Sequence, residues 1–218
     1  MLKGNTGNVL NLRLRFIYNG PMRTYGAVNL QPLLFLIAVN VVIFVLQIVI
    51  GGYPIEIDNE VVQLLGLTPA RLAEQPWTIV SSMFAHGSLM HILFNMIALF
   101  FLGSFVIRAV GDRAFLAVYF LGGLMGNVLF ILLAPSHIMG IGASGAVYAL
   151  GGALVVIVPK VPVLIFPIPV PMPLWAAILI FFFLSFLPGI AWQAHLGGLA
   201  LGLVAGLIFR RRRRGYYF

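Results

Sequence analysis

The chain contains no cysteine, which excludes disulfides, thiolate metal sites and a cysteine nucleophile. Acid is nearly as scarce, with five Asp and Glu in 218 residues. Charged residues of both signs make up 8% of the chain. Soluble domains carry roughly 25%, because a water-facing surface needs them. With 61% hydrophobic residues, the chain cannot cover a globule with polar side chains, so lipid must be its solvent. The first 29 residues hold Lys3, Arg13, Arg15 and Arg23 but no short apolar core with a cleavage site. No removable signal peptide is therefore expected.

What the chain has in abundance is long apolar runs. A membrane span needs roughly 20 such residues, and six segments qualify: about 32–50, 89–107, 114–133, 142–158, 174–187 and 190–209. The fifth is short, and the Pro-rich stretch 162–173 before it forms a loop or extends it. The expected architecture is an all-α membrane protein, a six-helix bundle over 30–209. A tail, 1–29, precedes it and a basic tail, 210–218, follows. The longest connection, 51–86, holds a helical periodicity at 61–74 and Trp77, an aromatic suited to the membrane interface.

Charge orients this bundle. Six spans put the N-terminal tail, the 108–113 turn, the 159–162 turn and the C-terminal tail on one side. That side holds 12 of the 13 Lys and Arg. The other holds only Arg71, with Glu56, Asp58, Glu60 and Glu74. Basic residues collect on the cytoplasmic side, so both termini are expected there. The net charge of +8 and the arginine run at 210–214 invite a nucleic-acid reading. The run directly follows an apolar segment, however, where it marks a cytoplasmic helix end and attracts anionic lipid headgroups. Lipid is the expected partner, and nucleic acid is not.

All four histidines fall on the outer side of this topology or just beneath it. His86 and His91 flank the start of the second span, and Asn95 lies one turn below His91 on the same face. Ser144 opens the fourth span and His195 the sixth. His137 reads as a plain loop residue. Polar groups inside a membrane are costly and usually face the bundle interior. Singly, each has a structural reading: Ser144 as a back-bonded serine, Asn95 as an interhelical hydrogen bond, His195 as a buried hydrogen-bonded histidine, His86 as a water-facing one. Together they share depth, side and chemical type.

Amide hydrolysis needs a nucleophile, a base and donors for the developing oxyanion. Ser144 supplies the hydroxyl and His195 the base. Gly142 and Gly145 flank Ser144 and let a substrate backbone come close. The first N–H groups of a helix lack intrahelical partners, so the Ser144 amide can donate to an oxyanion. His91 and Asn95 can donate from the facing helix. No acid lies at the right depth for a third member, so a Ser–His dyad oriented by packing is expected. Tyr148, one turn below Ser144, either stacks on the imidazole or simply packs its helix. Gly198, Gly202 and Gly206 make a small-residue stripe on the His195 face, which permits close approach to a neighbouring helix.

Three segments resemble the rhomboid family of intramembrane serine proteases. His86 to His91 to Asn95 resembles the family's His-x4-His-x3-Asn. Gly142-Ala-Ser144-Gly145, with Tyr148 following, resembles its Gly-x-Ser-Gly. Ala194-His195-Leu-Gly-Gly198 through Gly202 resembles its Ala-His-x2-Gly-x3-Gly. The resemblance implies Ser144 as nucleophile, His195 as general base, an oxyanion hole of His91, Asn95 and the Ser144 amide, Tyr148 beside the histidine, and His86 near the mouth of the site. It also implies transmembrane protein substrates cut near the outer face, and no cofactor or metal. Two departures stand out: Thr78 follows Trp77 where the family often has Arg, and Ile107 replaces a Glu the family often carries.

A substrate helix must partly unwind before Ser144 can attack, so helix-weakening Gly or Pro near the cut and small residues at it are expected. By proximity, the Phe-rich fifth segment and the loop 188–193 are candidates for a gate and a lid. Two rivals remain: a relative that binds transmembrane helices without cutting them, and a metal site or transporter using His86, His91 and His195. The short extensions suggest a prokaryotic cell membrane. Natural substrate and oligomeric state are not legible.

Overall fold

A computed structural model describes residues 28–165 and 168–214. Most of the expected N-terminal tail, 1–27, and residues 215–218 of the C-terminal tail lie outside the described residues. Among the described residues are eight α-helices: α1 (Gln31–Gly51), α2 (Glu60–Leu65), α3 (Thr78–Ser81), α4 (Leu89–Val110), α5 (Asp112–Leu133), α6 (Ser144–Ile157), α7 (Leu174–Leu184) and α8 (Trp192–Arg214). Four are long and apolar enough to cross a membrane: α1, α4, α5 and the stretch Trp192–Arg211 of α8. Helices α6 and α7 are apolar but shorter.

Apolar side chains lie on the outside of the helices as well as in the core. Helix α1 exposes Phe35, Val42 and Val49 yet buries Asn40 and Gln47 completely. Helix α4 exposes Phe94 and Phe101 while burying Asn95 and Ser104. Apolar side chains meet lipid at no cost, whereas polar ones need partners inside.

Helix α6 is the axis of the bundle. Gly145–Val147 and Ala149–Leu154 are buried, because α4, α5 and α8 all pack against it. Its small residues allow this: Gly152 stands where a β-carbon would lie 2.7 Å from the Leu199 carbonyl oxygen. Fourteen residues rise only ~21 Å, so α6 ends short of its longer neighbours.

The Pro-rich stretch is neither loop nor helix. Strands β1 (Pro162–Ile165) and β2 (Ile168–Pro173) form an antiparallel hairpin with Pro162 opposite Pro173 and Val163 opposite Met172. Proline cannot donate to a ladder and is confined to edges. The alternate prolines Pro169, Pro171 and Pro173 put the missing N–H groups on the free edge, while the Leu174 N–H donates inward to the Val161 carbonyl (2.9 Å). The fifth segment ends earlier than expected, at Leu184, with Ser185 as its C-cap.

Candidate active site

The N-terminal ends of α4, α6 and α8 are brought together by backbone contacts. Leu67 and Gly140 exchange two backbone hydrogen bonds, 3.0 and 2.8 Å, and the Gly142 N–H donates to the Ser82 carbonyl (2.8 Å). These pin the segment before α6 to the connection between α1 and α4. Asn127, on α5, locks the same corner by donating to the Ile79 carbonyl (2.7 Å) and the Ser82 hydroxyl (2.9 Å). Gly142 has φ +121°, a left-handed value that favours glycine. A β-carbon there would also lie 2.7 Å from His91 Nε2. Ser144 is the first residue of α6, so its own N–H is among the four without an intrahelical partner.

The glycine stripe sets the register of α8 on α6. A β-carbon on Gly198 would collide with the Gly145 carbonyl oxygen, and one on Gly202 with that of Ala149. A β-carbon on Gly206 would lie 2.7 Å from that of Ala153. The two series, 145–149–153 and 198–202–206, advance four residues at a time together. This close approach places His195 opposite the start of α6, where its Nε2 lies 2.7 Å from Ser144 Oγ.

Tyr148 stacks on the His195 ring at 4.4 Å between centroids and 26° between planes. Its hydroxyl donates to the Phe181 carbonyl (2.7 Å) and lies 3.0 Å from Ser185 Oγ. The second ring nitrogen of His195, Nδ1, is 2.7 Å from Ser185 Oγ. Sequence reading missed Ser185, an unremarked polar residue in a Phe-rich segment.

His91 sits in the first turn of α4, whose N-cap Ser88 accepts the His91 backbone N–H (3.1 Å). The Gly87 N–H approaches His91 Nδ1 at 3.4 Å. With Nδ1 accepting, a neutral ring carries its hydrogen on Nε2, the atom that faces Gly142. Asn95 is buried and donates one amide hydrogen to the His91 carbonyl (2.9 Å). An amide has two such hydrogens, which leaves the other for the site. A small recess lined by Met83, Asn127, Gly140, Gly142, Ser144 and Ala194 adjoins the serine.

His86 does not face water: it is completely buried. Gln47 on α1 ties down its backbone, donating to the His86 carbonyl (2.9 Å) and accepting its N–H (3.0 Å). The ring meets His91 edge-on at 5.0 Å. Burial, with the neighbouring His91 adding to it, pushes the His86 imidazole down to about 3. Gln47 and Asn127 were both missed in the sequence, although each is a polar residue within an apolar span. His137 is exposed in its loop. Among the described residues, no three His, Cys, Asp or Glu side chains group as metal ligands.

Both departures from the family pattern are buried. Thr78 is buried and its hydroxyl donates to the Gln75 carbonyl (2.6 Å). The connection between α1 and α4 is held by other bonds, from Trp77 Nε1 to the Leu64 carbonyl and from the Ser81 hydroxyl to that of Leu65, both 2.9 Å. Ile107 is buried in the main core.

The family model described as "Rhomboid domain" matches residues 73–212. "RHOMBOID-like protein 4" of Arabidopsis thaliana is 32% identical over 136 residues, covering 62% of this chain and 34% of that protein. "Rhomboid protein 1, mitochondrial" of Saccharomyces cerevisiae is 29% identical over 148 residues, covering 59% and 40%. "Rhomboid protease GluP" of Bacillus subtilis is 29% identical over 120 residues, covering 54% and 23%. The chain spans less than half the length of each of these relatives. Their sources, a plant, a yeast and a bacterium, do not favour the prokaryotic origin expected above.

Proposed function

The chain belongs to the rhomboid family, and we propose that it is an intramembrane serine endopeptidase with Ser144 as nucleophile and His195 as general base. It is an integral membrane protein, and the family to which it belongs includes proteins named as proteases. The observation that carries the reading is the 2.7 Å approach of His195 Nε2 to Ser144 Oγ at the end of a short, enclosed helix.

Ser144 Oγ gives its proton to His195 Nε2 as it bonds to the scissile carbonyl carbon. The negative charge that builds on the carbonyl oxygen is met by the Ser144 N–H, the second Asn95 amide hydrogen and the His91 Nε2–H. His195 then passes the proton to the departing amine, leaving an acyl ester on Ser144. A water, deprotonated by the same imidazole, hydrolyses that ester and restores the serine. No carboxylate takes part.

The topology proposed is six spans with both termini cytoplasmic, α6 and α7 being the short ones. Because α6 is enclosed by its neighbours, it has no need to match the bilayer, and its recessed outer end creates a depression that water can fill. Eleven residues of α7 rise ~16 Å, about half the hydrocarbon thickness, so the β-hairpin and the turn after Leu184 complete that crossing. Transmembrane proteins with small residues at the cut and helix-weakening Gly or Pro beside it are the proposed substrates, since only an unwound segment offers its carbonyl to Ser144.

The family also has members named as inactive, and a non-cutting helix binder is the alternative. It has no use for a hydroxyl and an imidazole at hydrogen-bonding distance. Incubation of the purified chain with a single-span model substrate in bilayers separates the two. Cleavage that disappears in Ser144→Ala supports the protease, and equal cutting by that variant ends the proposal.

A further inference from the structure

We infer that Ser185 is the positioning residue of the base, accepting the Nδ1–H of His195 so that Nε2 is left free to take the Ser144 proton. The inference rests on the reading of His195 as general base. A neutral imidazole carries one hydrogen. If Nε2 is to accept from Ser144, that hydrogen must be on Nδ1. A buried N–H needs an acceptor, and no carboxylate supplies one here. Ser185 Oγ stands 2.7 Å from Nδ1 and is itself buried.

The surroundings of Ser185 suit it for accepting. Its own hydrogen is directed one turn back to the Phe181 carbonyl, 3.1 Å away, which leaves its lone pairs toward His195. Tyr148 donates to the same carbonyl, at 2.7 Å. The stacked tyrosine, the serine and the imidazole thus share one anchor. Phe181 and Ser185 lie at the C-terminal end of α7, where aligned peptide dipoles concentrate roughly half a negative charge. That end points, through Ser185, at the ring that becomes an imidazolium during reaction. It supplies part of what a third carboxylate gives in other serine hydrolases. Since Ser185 caps α7 and His195 is on α8, the base is set only while the two helices stay together.

The test uses the full chain in bilayers with a single-span fluorogenic substrate, comparing parent, Ser144→Ala, Ser185→Ala and Ser185→Thr, with a melting curve for each. The expected result for Ser185→Ala is a kcat lowered about tenfold, the worth of one neutral hydrogen bond, with KM within about twofold of the parent. Ser185→Thr, which keeps the hydroxyl, should recover most of that loss. Parental kcat in Ser185→Ala overturns the inference, as does a loss that follows melting temperature across both variants irrespective of the hydroxyl. In either case a dead Ser144→Ala leaves the protease reading standing. A parent that does not cut, or a Ser144→Ala that does, removes that reading and this inference with it.

Discussion

Gly198 lies against Gly145 so closely that a β-carbon on it would collide with the Gly145 carbonyl oxygen. Two helices touching backbone to backbone at this point fix the distance between the serine and the histidine that each carries. The contact is therefore a direct determinant of the site. Gly198→Ala should force α8 away from α6, at a cost of about 1–3 kcal/mol for overpacking. Cleavage of a single-span substrate should fall at least tenfold, and the melting temperature should drop. Ala200→Val, on the exposed face of α8, should change neither. Equal activity in Gly198→Ala and parent would mean that the helix register does not control the site.

Gly142 holds the other approach, that of His91 to the start of α6. Gly142→Ala meets both a backbone at φ +121° and the His91 ring. Kinetics on the variant should show kcat reduced by tenfold or more, from a displaced oxyanion donor. KM should move far less, because substrate binding precedes the build-up of charge. A variant with raised KM and intact kcat would assign Gly142 to substrate binding instead.

His86 makes stability depend on pH. Burial first, and the His91 neighbour second, lower its pKa from 6.5 to about 3. Between those values the unfolded chain binds a proton that the folded chain does not, so stability rises with pH across this window and declines on acidification. Thermal melting in detergent should show the parent losing stability steadily from pH 6.5 toward pH 3. His86→Gln should lose distinctly less over the same range. Parallel curves would show that some other group governs the acid response.

The helical membrane bundle and the residues of the candidate site were legible because lipid leaves few alternatives. Apolar runs of span length had to become helices, and polar residues such as Ser144, His195, His91 and Asn95 stood out against them. The glycine stripe at 198, 202 and 206 could be read as a close-contact face from its spacing alone. What it touches, 145, 149 and 153, follows once the two helices are docked. Gln47 and Asn127 carried the same polar-in-a-span signal and were passed over, because neither matched a chemical role. Their work is on backbone carbonyls and N–H groups, which a sequence does not display. Ser185 was hidden for a related reason: a serine next to a helix end is common, and its importance lies in standing 2.7 Å from a ring ten residues further on. The hairpin at 162–173 escaped because its prolines oppose regular structure in general. Only their alternation, which leaves one strand edge able to pair, allows it.

The central claim, that His195 activates Ser144 as a nucleophile, is tested most directly by covalent labelling. The full chain in bilayers should react with a serine-directed fluorophosphonate, and peptide mass spectrometry should find the adduct on Ser144. His195→Ala should lower the labelling rate by a hundredfold or more. Labelling on another residue, or at an unchanged rate without His195, would contradict the account.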